Sequence, residues 1–349
     1  MATKKQETVI DYRAGHVPEW VRRAIDEQFA IEAEDARKAG TLGYMTRALV
    51  LATMPYKDPK ADVFTRVNGD FKLRILAGYE GGIPYGIYPR LLMSWVATEA
   101  VRNQSPVIEL GDSLRQFLRD VLELRSGGGE RGTSTRVAEQ MKRLFGSLIT
   151  AQMKRGGDGD PGFVLRNVLI ADGLQLENEE AFDLDTPVDG AERAIWVPQH
   201  ERDAGKWKSN VKLSAPFFTE LIEHPIPIDL RAYKALRGSP LAMDIYSWLT
   251  YRMSYTDRPT RPIRWESLMG QFGSSFNTEN IDQASRDFKK GFLKALKAVQ
   301  IVYPMARIKV EDNGLVLLPS PPHISISNLT SKPRSGKTKD KGDAQDSLF

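Results

Sequence analysis

The sequence contains no cysteine, and its four histidines are scattered, so several kinds of functional site are excluded. Without thiols there are no disulfides, no thiolate zinc sites and no cysteine nucleophiles. His16, His200, His224 and His323 show no metal-binding spacing, and no nucleophile-elbow motif occurs. We therefore expect a protein that is not an enzyme and that needs no metal or other cofactor.

Long hydrophobic runs are also lacking. No stretch of eighteen apolar residues is present, so no membrane span is expected. The first residues include lysines but no apolar segment of the signal-peptide kind. A content of 41% hydrophobic and 27% charged residues in 349 is typical of a globular protein of about two domains, which we expect in the cytoplasm.

Basic residues are scarce in one region. Residues 158–203 hold twelve acidic side chains and only three arginines, a local charge of −9. Because the net charge of the whole chain is +4, the remaining residues carry +13. Such an imbalance suits a nucleic-acid-binding protein with an acidic insertion, although a basic protein with one solvated acidic loop has the same charges.

Apolar periodicity in residues 82–149 predicts amphipathic helices, and the following segments have the alternation of strands. Helix, strand, two helices and a hairpin make up a winged helix-turn-helix. The predicted elements are helices over 89–102, from Asp112 or Ser113, and over 134–150, with strands at 107–110, 163–170 and 181–186. The aromatic and apolar side chains from Tyr85 to Trp95 suggest an assembly surface.

The second half of the sequence repeats this order. Helices are predicted over 239–253 and 279–299, with a short strand and helix between them at 262–273. A hairpin with Asn313-Gly314 at its turn follows as a second wing. We therefore predict an α+β fold of two tandem winged helix-turn-helix domains with a disordered tail. The boundaries are an N-terminal helical extension over 1–42, domain 1 over 43–205, domain 2 over 206–324 and the tail over 325–349.

Several stretches carry a family resemblance. They are GIPYGIYPRLLMSWVATEAV from Gly82, SLRQFLRDV from Ser113, AEQMKRLFGSLI from Ala138, SPLAMDIYSWLTYRM from Ser239 and FKKGFLKALKAV from Phe288. Together they resemble the plasmid-encoded replication initiator (RepA) family over most of residues 43–322. The resemblance implies a protein that binds repeated sites, called iterons, in double-stranded DNA at a plasmid origin and promotes origin opening. It also implies recruitment of the host initiator and replicative helicase, and a homodimer that limits copy number, formed through domain 1.

The third helix of each unit is the candidate recognition helix, because a helix fits the major groove and basic side chains bind guanine or phosphate. The exposed basic faces could equally be ordinary solvated surfaces. The helix over 279–299 is the expected main reader, while domain 1 is expected to contact the DNA backbone. The candidate DNA-binding residues are Arg136, Lys142, Arg143, Arg286, Lys289, Lys290, Lys294 and Lys297. Glu139 shares a face with the first three and could accept a hydrogen bond from cytosine.

Residues 325–349 are polar and lysine-rich, which predicts disorder. The segment Gln345-Asp346-Ser347-Leu348-Phe349 within them resembles the sliding-clamp-binding motif of bacterial replication proteins, with Asp346 in place of the usual leucine. Gln345, Leu348 and Phe349 are the predicted clamp contacts, since two apolar anchors can enter a hydrophobic pocket. A chance match is the alternative.

Two other functions fit the same sequence. One is a tandem winged-helix transcriptional repressor without initiator activity. The other is an interaction protein whose basic faces bind acidic partners.

Overall fold

The computed structural model describes residues 42–51, 53–68, 71–109, 133–155, 162–175, 210–273 and 281–324. These ranges combine helices with antiparallel sheets, which confirms the predicted α+β class. The helices are α1 (Arg47–Leu51), α2 (Ile87–Asn103), α3 (Thr133–Phe145), α4 (Ala215–Glu223), α5 (Leu230–Leu236), α6 (Pro240–Met253), α7 (Trp265–Phe272) and α8 (Ile281–Val302). The strands are β1 (Leu42–Thr46), β2 (Val63–Asn68), β3 (Phe71–Ala77), β4 (Val107–Glu109), β5 (Ser147–Arg155), β6 (Gly162–Leu169), β7 (Ala171–Gln175), β8 (Asn210–Leu213), β9 (Pro225–Asp229), β10 (Ile263–Arg264), β11 (Ile308–Glu311) and β12 (Gly314–Leu317).

The strands form four sheets in the part of the chain that the structure describes. Their orders are β2-β3-β5-β6, β4-β8-β7, β1-β9 and β10-β12-β11. The strand β8 follows the predicted boundary at residue 205, yet it pairs with β4 and β7 of the first half. The division into two domains stays a prediction.

Helices α2 and α6 form the centre of the molecule. In α6 every residue from Ala242 to Thr250 is buried, and α2 is buried on all sides from Pro89 to Thr98. A helix that is apolar all round is typical of a position inside a core. The expected assembly surface from Tyr85 to Trp95 is therefore wrong, because from Pro89 onward these side chains pack inside the chain.

A buried ion pair joins these two helices. Arg90 of α2 donates from Nε and Nη2 to the two carboxylate oxygens of Asp244 in α6, at 2.8 and 2.7 Å. Its remaining hydrogens reach the carbonyl oxygens of Met54, Pro55 and Gly86 at 2.7, 3.2 and 2.6 Å. The side chain of Arg90 is fully buried and that of Asp244 is 7% exposed, so both charges are satisfied within the protein.

Three further contacts connect the halves. Strand β1 pairs with β9, and Arg47 makes a bidentate ion pair with Glu220 of α4 at 3.0 and 3.2 Å. Helix α7 packs on β2, where Gly270 allows the carbonyl of Val67 to approach closely. A single hydrophobic core runs through both halves.

The predicted third helix extends too far. Helix α3 ends at Phe145, and the residues Leu148 and Thr150 lie in strand β5. The amide of Gly146 closes the helix on the carbonyl of Lys142 at 2.9 Å, and a side chain at Gly146 would collide with that oxygen. The β-branched Ile149 and Thr150 then favour a strand.

The turn of the second hairpin differs from its prediction by one residue. Glu311 pairs with Gly314, so the turn residues are Asp312 and Asn313. Gly314 is needed for another reason, because a Cβ there would strike the Ile263 carbonyl of β10. The helices α2, α6, α7 and α8 and the strands β4, β6 and β10 lie close to their predicted positions, whereas α4, α5, β7, β8 and β9 had no predicted counterpart. Four predicted segments lie outside the described residues: the N-terminal extension, the helix from Asp112, the strand at 181–186 and the tail.

Candidate nucleic-acid interface

The long helix α8 presents one buried and one basic face. Its apolar side chains pack against α5, α6 and α7. Four basic side chains are exposed on the other side, and at 100° per residue they fall within an arc of about 80°. They are Arg286, Lys290, Lys294 and Lys297.

The two ends of this face differ. Near the start of α8, Arg286 donates to the amide oxygen of Gln283 at 3.0 Å, and Asp282 and Asp287 are exposed beside it. From Lys290 onward the helix has no acidic residue. In the ranges that the structure describes, Lys290, Lys294 and Lys297 make no hydrogen bond or ion pair, so their charges are available to an external anion.

Lys289 has a different position from its neighbours. Its ammonium lies 4.9 Å from the centre of the Trp265 ring and donates to the Asp312 carbonyl at 3.3 Å. The indole Nε1 of Trp265 donates to the same carbonyl at 3.0 Å. These contacts fix the turn of the β11-β12 hairpin against α7 and α8, so the basic face and the hairpin form one rigid unit.

In α3, the corresponding basic residues make contacts within the protein. Arg143 is 12% exposed; it pairs with Glu139 at 3.0 Å and Asp58 at 3.6 Å. Its guanidinium also lies 5.2 Å from the Tyr85 ring centre. The ammonium of Lys142 lies 5.9 Å from the ring centre of Tyr79, while Arg136 is exposed.

The acidic groups around Arg143 are also paired. Glu139 accepts from Arg143 through one oxygen and from the Tyr79 hydroxyl through the other at 3.4 Å. Burial and the nearby Glu139 raise the pKa of Tyr79. Although burial alone would raise the pKa of Asp58, hydrogen bonds from Lys60 and the charges of Lys60 and Arg143 lower it. Arg143 and Glu139 therefore serve as one another's partners in this structure.

Sequence reasoning missed three exposed arginines, two just before β10 and one within it. Arg258, Arg261 and Arg264 recur at intervals of three residues, and a proline follows the first two. That spacing is visible in the sequence. It matches neither the 3.6-residue period of a helix nor the two-residue period of a strand, so a search for those periods does not find it.

No group of acidic or histidine side chains among the described residues could hold a metal ion. Within the same ranges, no helix has the length and apolar character needed to cross a membrane. The predicted clamp contacts Gln345, Leu348 and Phe349 lie outside the described residues.

Comparison with known proteins gives one family match. The model of a family described as plasmid encoded RepA protein matches residues 83–185 and 174–266, which together span more than half of the chain. Two crystal structures of domains 2 and 3 of RctB are similar. The selenomethionine derivative has 10% identity and a TM-score of 0.44, covering 78% of this chain and 97% of that chain. The structure of RctB residues 155–483 has 11% identity and a TM-score of 0.41, with 77% and 94% covered. No curated protein sequence matches.

Proposed function

Because the chain belongs to the plasmid-encoded RepA protein family, a family of replication initiators, we propose that it starts plasmid replication by binding repeated DNA sites. It binds iterons at the plasmid origin, promotes opening of the adjacent duplex and recruits the host initiator and helicase. It acts through binding and has no catalytic step of its own. Homodimers, formed through the first unit, limit the copy number.

The second unit is the main DNA reader in this proposal. Its elements follow the order α6, β10, α7, α8, β11 and β12, and its sheet has the order β10-β12-β11. This order supports a winged helix-turn-helix in which α8 enters the major groove and the β11-β12 hairpin is the wing. The exposed basic face of α8 is the observation that carries the proposal.

The first unit has a supporting role. Its sequence of α2, β4, α3 and the β5-β6 hairpin fits a second winged helix, although residues 110–132 lie outside the described ranges. Arg143 is engaged with Asp58 and Glu139, so we assign phosphate contacts chiefly to Arg136 and Lys142. Two units in successive major grooves would cover roughly two turns, with centres about 10 base pairs apart.

Footprinting across the repeats of the native plasmid tests this function. We expect protection confined to the repeats and spanning about two turns in each. The change Lys290→Ala with Lys297→Ala should weaken repeat binding at least about tenfold, because each base contact contributes on the order of 1–3 kcal/mol. Lys57→Ala with Lys212→Ala removes the same charge from exposed positions in the first half and in β8, which pairs with it, and should leave the protection intact. Uniform protection of all DNA would contradict the proposal.

A replication assay separates an initiator from a repressor. A plasmid carrying only the candidate origin should replicate when the protein is supplied in trans. Repeat binding without replication would favour a transcriptional repressor. A DNA-independent complex that resists salt would instead indicate a protein that binds acidic partners.

We also propose that the segment containing Gln345, Leu348 and Phe349 binds the host sliding clamp. The two apolar side chains would fill a hydrophobic pocket while the glutamine amide makes hydrogen bonds. Clamp pull-down with the full chain and with Leu348→Ala and Phe349→Ala tests this. Recovery should fall when both anchors are removed, and equal recovery would reject the motif.

A further inference from the structure

The segment that leads from α6 into β10 has the sequence RPTRPIR, from Arg258 to Arg264, and its last two residues form β10. Pro259 and Pro262 fix their own φ angles near −65°, and each restricts the residue before it to extended conformations. In the structure residues 259–262 belong to no helix, turn or strand. The segment is therefore an extended arm whose shape its prolines determine before any partner binds.

One edge of this arm is attached to the second unit. The amide of Thr260 donates to the Leu317 carbonyl, and the Leu317 amide donates to the Thr260 hydroxyl, both at 3.0 Å. Three residues later, Ile263 pairs with Leu315 in the antiparallel sheet. These contacts hold the arm alongside β12.

Three arginines recur along the same segment. Arg258, Arg261 and Arg264 are all exposed, and we call them the arginine ridge. In an extended chain, residues three positions apart are separated by about 9–10 Å. None of the three side chains makes a hydrogen bond or ion pair with another residue in the described ranges. Asp257 and Glu266 flank the ridge in sequence and are exposed as well.

The ridge leads to the basic face of α8. Arg264 pairs with Gly314 at the hairpin turn, and the amide of Trp265 donates to the Asn313 carbonyl at 3.3 Å. The ring of Trp265 makes a cation–π contact with the ammonium of Lys289, a residue of α8. The arm is thus joined, through the hairpin turn and Trp265, to α8 at Lys289.

We propose that the arginine ridge binds the sugar-phosphate backbone of duplex DNA next to the groove that α8 enters. The inference rests on the proposed DNA binding. A guanidinium offers paired N–H donors that match two phosphate oxygens, and a row attached to a sheet loses little freedom on binding. The ridge positions the protein on any duplex and does not read sequence, because phosphates carry no sequence information.

The test compares two triple variants of the full chain. One carries Arg258→Ala, Arg261→Ala and Arg264→Ala. The control carries Lys57→Ala, Lys72→Ala and Lys212→Ala, which removes the same charge from exposed positions in the first half and in β8, which pairs with it. Dissociation constants are measured over a range of salt concentrations, on a duplex with one plasmid repeat and on an unrelated duplex of equal length. Thermal unfolding of both variants checks that they are folded.

The slope of log K against log salt is negative, and for the ridge variant we expect its magnitude to decrease by about 0.9 per lost contact, or about two to three units in all. Affinity should fall on both duplexes by a similar factor, so the preference for the repeat is kept. The control should retain the wild-type slope. An unchanged slope in the ridge variant, an equal decrease in the control, or a lost repeat preference at constant slope would each overturn the proposal.

The same data distinguish the ridge from the function on which it rests. If the wild-type protein shows no repeat preference but the ridge variant has a less negative slope on unrelated DNA, iteron binding is wrong and phosphate binding by the ridge is supported. If the repeat preference is present and the slope is unaffected, the ridge is wrong and the proposed function stands. Binding of an acidic peptide to the ridge with no effect on DNA would also overturn it.

Discussion

At the scale of single residues, Arg90 joins two distant stretches of the sequence that both carry the family resemblance. It lies in GIPYGIYPR, and its partner Asp244 lies in SPLAMDIYSW, 154 residues later. Neither stretch could have been assigned this role from sequence, because an arginine and an aspartate at that separation have many other candidate partners. A buried charge needs a full set of hydrogen bonds, and Arg90 obtains its set only when both stretches are folded together.

Arg90→Ala should destabilise the protein by about 3–5 kcal/mol, because it leaves the Asp244 carboxylate buried without its partner. Replacing both residues, Arg90→Met with Asp244→Leu, should recover part of that loss, since no buried charge then remains. Urea unfolding measures both effects. Arg136→Ala serves as the control, and its exposed side chain should change the free energy of unfolding by no more than about 0.5 kcal/mol. Equal values for Arg90→Ala and the control would show that the pair does not stabilise the fold.

His323 is a second residue whose surroundings change its properties, in this case its pKa. The Tyr246 hydroxyl accepts a hydrogen bond from the Asp229 amide at 2.9 Å and shares a second hydrogen bond with the Nδ1 atom of His323 at 2.6 Å. The imidazole also stacks on the Tyr303 ring. Burial lowers the pKa of His323 to about 4; the negative charge of Asp229 opposes this, and the positive charge of Arg231 adds to it.

A folded-state pKa below the ordinary value of about 6.5 means that folding favours neutral His323. Its contribution to stability is complete above pH 6.5 and is lost as the pH falls from 6.5 towards 4. The ring keeps some solvent contact, so we expect a loss of about 2 kcal/mol relative to His323→Gln, which does not titrate. Unfolding of both proteins between pH 4 and 7 measures this. A constant difference across that range would contradict the assigned environment.

At the scale of elements, the helices with clear local signals were predictable. Helix α6 begins after Ser239, whose hydroxyl accepts from the Ala242 amide at 3.2 Å, as its Ser-Pro start indicates. Apolar periodicity placed α8 within three residues at each end. The end of α3 was not predictable, because Leu148 fits the helical face as well as the strand. Only the pairing of β5 with β3 and β6 decides between them.

Two glycines at helices should respond to alanine in opposite ways. Gly86, just before α2, has φ of 78° and ψ of −151°, a region open essentially to glycine alone. Gly86→Ala should therefore cost about 1–3 kcal/mol through backbone strain, although a Cβ would meet nothing closer than 3.9 Å. Gly291 lies within α8 with open space around it, so Gly291→Ala should stabilise by about 0.5–1 kcal/mol. Chemical unfolding of both variants checks the signs, and loss of stability in both would contradict this account of α8.

At the scale of the whole molecule, internal repetition predicted two similar units but not how they meet. The pairing of β1 with β9, the Arg47–Glu220 ion pair and the return of β8 to the first half are all long-range contacts. They depend on which surfaces are complementary in three dimensions, and periodicity contains no such information. The basic face of α8 was predictable, because helical spacing alone places its residues together. The ion pair between Arg143 and Asp58 was not predictable from the sequence.

The shared core predicts that the two halves unfold together. Fluorescence of Trp95 and Trp248, which are buried in α2 and α6, should change in the same urea range as the circular dichroism of the helices. Because the chain holds six tryptophans, the signal of each half is taken as the difference between the wild type and Trp95→Phe or Trp248→Phe. Two well-separated transitions would instead support independent domains over 43–205 and 206–324.

The most direct test of the central claim compares the affinity of the full chain for two duplexes at one salt concentration. One carries a single plasmid repeat, and the other carries the same bases in shuffled order. We predict that the wild-type protein binds the repeat at least about 10³-fold more tightly, and that Lys290→Ala with Lys297→Ala loses most of this preference. Equal affinity for the two duplexes, or an unchanged preference in the double variant, would contradict the assignment of α8 as the helix that reads DNA.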